Sequence, residues 1–138
     1  MNGKFLKIFS AGVLLMIATG AQAQKKEEKK PDNPVKCTNI KDGKFLRANY
    51  PEAIWHMTIK DNVQTEYFNN GKDYIKSTLV FVDDCHYKSI VIEKSDKNDP
   101  AQIGDVFNNT VVATQDNLLK INTKIEGDQF DMVYIKVK

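Results

Sequence analysis

Residues 55–81 read WHMTIKDNVQTEYFNNGKDYIKSTLVF. Three runs of alternating apolar and polar residues are separated there by Asp61-Asn62 and by Asn70-Gly71. Asn, Asp and Gly tolerate the positive φ that two-residue hairpin loops demand, so these pairs predict tight hairpins and thereby fix the strand register. In that register Trp55, Met57 and Ile59 share a face with Phe68, Glu66 and Gln64, and with Ile75, Ser77, Leu79 and Phe81 of the next run. His56, Thr58, Thr65, Tyr67, Tyr74, Lys76 and Thr78 take the opposite, outward face. The first face is the apolar one, and it carries Gln64 and Glu66 into the interior. A carboxylate on a core face is costly unless it is paired or hydrogen-bonded, and Lys88 or Arg47 is the expected partner. A slip of one residue, a wet rim or a structural ion pair at Glu66 is the alternative.

The same period of two extends in both directions. Strands are expected at 43–49, 53–60, 63–68, 73–82, 86–93, 109–114, 118–125 and 129–137, with further turns at Asp83-Asp84, Asp116-Asn117 and Glu126-Gly127-Asp128. A longer loop, Ser95 to Asn108, contains Pro100 and is expected to hold a helical turn over Ala101 to Val106. About eight consecutive antiparallel strands predict an all-β, up-and-down barrel or half-barrel, because closure removes exposed edges. A β-sandwich is the alternative architecture.

Upstream, the sequence changes character. Lys4 and Lys7 precede an apolar run through Val13, Leu14, Leu15, Met16 and Ile17, then Ala21, Gln22 and Ala23, the order of an export signal cleaved after Ala23. Residues 24–36 form a charged leader with no apolar residue before Val35, expected to lack fixed structure. That leaves 37–138 as a single β domain. The whole chain of 138 residues carries a formal charge of +2, but Cys37 to Lys138 holds 13 bases against 15 acids. This acidic balance argues against a phosphate-backbone binder. The apolar run is too short for a membrane span, and no cofactor motif occurs.

Export gives the two cysteines their meaning. Outside the cytoplasm paired thiols oxidise and staple small domains, so Cys37 and Cys85 are expected to form one internal disulfide.

Cys37, Gly43-Lys44-Phe45, Ile59, Gln64-Thr65-Glu66, Gly71 and Asp84-Cys85-His86-Tyr87 together resemble a family of small exported, lipocalin-like β-barrel proteins of Gram-negative bacteria. The resemblance covers roughly 37–92 and implies a barrel and a disulfide, with no reaction or binding residues to carry over. Some members bear a topoisomerase IV label, which a short exported chain with an acidic domain does not support.

Other chemistry has little to draw on. His56, His86, Asp83 and Asp84 are metal-capable side chains without ligand spacing. Asp96, Asn98 and Asp99 begin like a calcium loop, but Ala101 and Phe107 stand where its glycine and bidentate glutamate belong. Ser77, Ser89 and Ser95 lack a nucleophile-elbow motif, so the chain is read as a non-enzyme. The aromatic residues, among them Trp55, Phe81, Tyr87 and Tyr134, are read as core filling. The expected function is a barrel holding a small apolar or amphipathic ligand at Trp55, Met57, Gln64, Glu66 and Phe81. The alternative is an envelope interaction protein, its partner unspecified, with a barrel packed solid. Exported protein is expected to have the intact mass of residues 24–138, and a membrane-retained species that keeps 1–23 contradicts this reading.

Overall fold

A computed structural model describes residues 29–138. The expected export signal, residues 1–23, and residues 24–28 of the charged leader lie outside that range. A short 3-10 helix, Cys37–Ile40, precedes eight strands: β1 (Gly43–Arg47), β2 (Trp55–Lys60), β3 (Val63–Phe68), β4 (Asp73–Phe81), β5 (His86–Lys94), β6 (Val106–Gln115), β7 (Leu118–Ile125) and β8 (Asp128–Lys136). Each strand pairs antiparallel with the next, and β1 pairs with β8 to close the barrel. No described helix is long and apolar enough to cross a membrane.

The two central hairpins have the register read from their turns. Asp61 and Asn62 both adopt positive φ, at 51° and 62°, which places Ile59 opposite Gln64. Across the next loop Glu66 lies opposite Ile75 and Gln64 opposite Ser77. The interior assignment of Trp55, Met57, Ile59, Gln64, Ser77 and Leu79 follows, and all six are buried.

Thr65 keeps the expected outer face, and is covered there between its cross-strand neighbours Thr58 and Lys76. Two expectations need correction. No helical turn forms over Ala101 to Val106: Gly104 adopts φ 95° in a tight turn, and Val106 already begins β6 by pairing with Ile90. Lys88 is exposed on the outer face of β5 and is not the partner of Glu66, because it alternates with the inward-facing Tyr87 and Ser89.

Two register shifts then alter which residues point inward. Opposite Lys76 and Ser77, β5 passes from Val91 to Glu93, which brings Lys94 opposite the inward Ile75. Its ammonium donates to the carbonyls of Asp99 at 2.8 Å and Ala101 at 2.7 Å, so a lysine holds the loop that resembled a calcium site. The second shift, between Val111 and Ala113, leaves Val112 exposed and buries Thr114. Thr114 Oγ1 donates to Asp32 at 2.8 Å and accepts from the Lys36 amide at 2.9 Å, tying part of the charged leader to the barrel.

One end of the barrel is packed solid. Ile40 of the 3-10 helix, Phe45, Met57, Ile59, Leu79, Val111, Leu119 and Ile121 are buried there in one cluster. Cys37 and Cys85 are joined, so the helix is pinned to the β4–β5 loop across the end of the barrel. The bridge spans 48 residues of sequence, a loop whose closure is worth about 4 kcal/mol on the chain-entropy model. Cys85→Ser is expected to lower the unfolding free energy by about 2–5 kcal/mol, measured by urea denaturation. An unchanged midpoint contradicts the role given to the bridge.

Candidate functional site

The other half of the barrel is not filled. A cavity of about 180 Å³ lies next to the 95–105 loop, which contributes Ala101 to its wall. The lining mixes apolar side chains, Ile75, Val91, Phe107, Phe130 and Met132, with the polar Gln64, Glu66, Ser77, Ser89, Asn109 and Thr123, and Tyr87 and Tyr134 complete the wall. The two kinds alternate around the barrel, since Glu66 pairs across strands with Ile75, Ser77 with Val91, Ser89 with Phe107 and Thr123 with Phe130. Strand alternation brings all of these polar side chains to the inner face. Being small or polar, they leave the space inside this half of the barrel unfilled.

The polar band is internally ordered. Asn109 Nδ2 donates to Ser89 Oγ at 3.2 Å and to the Phe107 carbonyl at 3.3 Å, while Thr123 Oγ1 donates to Asn109 Oδ1 at 2.8 Å. These bonds hold the Asn109 amide in one orientation. Asn109 is therefore satisfied, whereas the Ser77 and Tyr87 hydroxyls in the same wall make no side-chain hydrogen bond among the described residues. They are free to serve a bound molecule.

Glu66 joins the cavity to the aromatic wall. Its Oε1 accepts from Trp55 Nε1 at 3.2 Å and its Oε2 from Gln64 Nε2 at 3.4 Å. Burial pushes its pKa above the usual carboxylate range, against the opposing pull of the Trp55 hydrogen bond, the Arg47 charge and the Gln64 hydrogen bond. Trp55 stacks on Tyr134 with ring centroids 5.4 Å apart, and the Arg47 guanidinium carbon lies 4.7 Å from the Trp55 ring. Of the two expected partners of Glu66, Arg47 is thus the one that acts on it. Burial likewise raises the Tyr87 and Tyr134 phenols, so both stay protonated donors.

The expected ligand residues divide between the two halves. Gln64 and Glu66 line the cavity. Trp55 and Met57 are buried in the packed cluster, and Phe81 packs against it, stacked on Tyr87 at 4.9 Å. Ser89, Asn109, Thr123 and Tyr134 were missed; their signal is the placement of small or hydrogen-bonding residues at inward positions of β5 to β8. His56 stacks on Tyr67 and His86 pairs with Asp83 at 2.9 Å, while Asp84 pairs with Lys41 at 2.8 Å. Among the described residues no group of three or more His, Cys, Asp or Glu side chains converges on a metal-sized site. Ser77 and Ser89 line the cavity without a histidine beside them in its wall. Comparison with protein-family models, curated proteins and solved structures finds no match.

The raised Glu66 pKa has a definite consequence for stability. The folded protein keeps this proton at pH values where the unfolded chain has already released it, so stability falls as pH rises from the ordinary carboxylate range through the higher folded value. Glu66→Gln removes that dependence. Urea midpoints are expected to show the variant gaining on wild type as pH rises above the ordinary carboxylate range. Parallel curves, or a wild type that gains on the variant as pH rises, contradict the assignment.

Proposed function

We propose that this is an exported, non-enzymatic binding protein whose barrel holds one small amphipathic molecule, its polar group met by hydroxyl and amide side chains such as Ser77, Tyr87 and Asn109 and its apolar part by Ile75, Val91, Phe107 and Phe130. The observation that carries this reading is the cavity of about 180 Å³ whose wall carries both polar and apolar side chains, beside a tightly packed apolar cluster at the other end of the barrel. An engineered apolar cavity of about 150 Å³ accommodates benzene, so the ligand is of that order of size rather than drug-sized. A wholly apolar molecule would leave the Ser77 and Tyr87 hydroxyls desolvated without partners, which disfavours it.

Export is supported by the disulfide, which persists in oxidising compartments, and by the order of residues in 1–23. The resemblance to small exported lipocalin-like barrels accords with it. A barrel packed solid and acting only through its outer face is disfavoured, since such a barrel has no reason to keep small polar side chains on its inner face. Nucleic acid is disfavoured by the acidic balance of the domain.

Trp55 is the only tryptophan and touches two cavity residues, Glu66 and Tyr134. Its emission is expected to shift saturably on titration with benzyl alcohol or 1-pentanol. Ser77→Phe, which projects a ring into the cavity, is expected to abolish the shift while circular dichroism remains that of a β protein. No saturable shift in the wild type, or one that survives Ser77→Phe, overturns the proposal.

A further inference from the structure

Arg47 is the last residue of β1 and shares the inner face with Phe45, where it pairs across the closing seam with Tyr134. Its guanidinium carbon lies 4.9 Å from the Tyr50 ring and 4.7 Å from the Trp55 ring. Aromatic faces fix the plane of a guanidinium but leave its N–H edge to find acceptors. Here that edge is poorly served. Nε is buried and has no hydrogen-bond partner. Nη2, which points to the same side of the fork as Nε, donates only to the Met132 thioether at 3.2 Å. The Tyr134 hydroxyl donates to the same sulfur at 3.4 Å. Arg47 makes no ion pair among the described residues.

Two strong donors, Arg47 Nη2–H and the Tyr134 hydroxyl, therefore share one weak acceptor that lines the cavity, and the adjacent Nε–H has none; Arg47 itself is not a lining residue. A thioether sulfur is a poor match for them, and leaving charged donors under-satisfied in a buried place is costly. A carboxylate offers two oxygens at the spacing of the Nε–H and Nη2–H pair. Met132 lines the cavity, and an unbranched methionine can swing aside at small cost.

Resting on the reading of the barrel as a binding protein, we propose that its ligand bears an oxyanion, a carboxylate being the matching form, which replaces the Met132 sulfur against Arg47 Nε and Nη2 and the Tyr134 hydroxyl. Glu66 is no obstacle to a second carboxylate. Burial favours its neutral form, and its oxygens are already engaged by Trp55 and Gln64.

The test compares molecules of nearly equal size: pentanoate, 1-pentanol and pentylamine, titrated at constant ionic strength and followed by Trp55 emission and calorimetry. Pentanoate is expected to bind at least about tenfold more tightly than 1-pentanol, with pentylamine weakest. Arg47→Lys keeps the charge but loses the fork, and is expected to bring the acid and the alcohol to within about twofold. Met132→Leu removes the competing acceptor and is expected to keep the acid preference, so the comparison stands even where an Arg47 variant does not fold. If 1-pentanol or pentylamine binds as tightly as pentanoate, or Arg47→Lys keeps the full acid preference, the oxyanion assignment is wrong and the cavity reading survives. If none of the three binds saturably to the wild type, both are wrong.

Discussion

Whether an eight-stranded barrel has room for a guest is decided by side-chain volume at its inward positions, since eight strands enclose a space that side chains can just fill. In this protein that constraint is met differently at the two ends. Near the 3-10 helix the inward residues are Phe45, Met57, Ile59, Leu79, Val111, Leu119 and Ile121, and they close the interior completely. Near the 95–105 loop they include Ser77, Ser89, Asn109 and Thr123, which are too small to fill the interior and leave a cavity of about 180 Å³. Closure of β1 on β8 makes this a cavity rather than a groove. At Gly43 the backbone comes so close to the Lys138 carbonyl that a Cβ would collide with it, so the start of β1 beside the chain's end requires glycine.

Polar groups inside a barrel must be satisfied or they undermine it. Two solutions coexist here. Asn109 is satisfied by its own neighbours, Ser89, Thr123 and the Phe107 carbonyl. Arg47 is not, and its charge is held instead by aromatic rings and a sulfur. Trp55 links the two chemistries: its face meets Arg47 and Tyr134, and its N–H holds the Glu66 carboxyl in the cavity wall. Pre-ordering of this kind lowers the cost of fixing side chains when a ligand arrives.

Much of the fold was legible because turn chemistry leaves so little choice. Asp61-Asn62 makes the expected two-residue loop, Asn70-Gly71 sits inside a four-residue connection (69–72) that keeps the expected register, and that register puts Gln64 and Glu66 inside. The cysteine pair was legible for a different reason, since two thiols in a domain read as exported have one internal bridge to make. What the sequence hid was parity and depth. A bulge adds a residue without any compositional mark, so the inward turn of Lys94 beside Val91 and of Thr114 beyond Val111 left no signal. Alternation reports which face a residue occupies but not how far along the barrel it sits. Trp55, Met57 and Phe81 therefore looked equivalent to Gln64 and Glu66, although only the latter two line the cavity. Arg47, at a strand end beside a seven-residue connection, carried no hint that its edge lacked an acceptor.

The central claim is that one half of the barrel is a packed core and the other a receptive cavity, and methyl-resolved NMR separates the two directly. On titration with a small amphipathic molecule such as benzyl alcohol, the methyl resonances of Ile75, Val91 and Met132 are predicted to shift and saturate together. Those of Ile59, Leu79, Val111, Leu119 and Ile121, at the packed end, are predicted to stay in place. Shifts confined to outer residues such as Val80, Val82 and Ile92, or spread equally over both ends of the interior, would contradict the account.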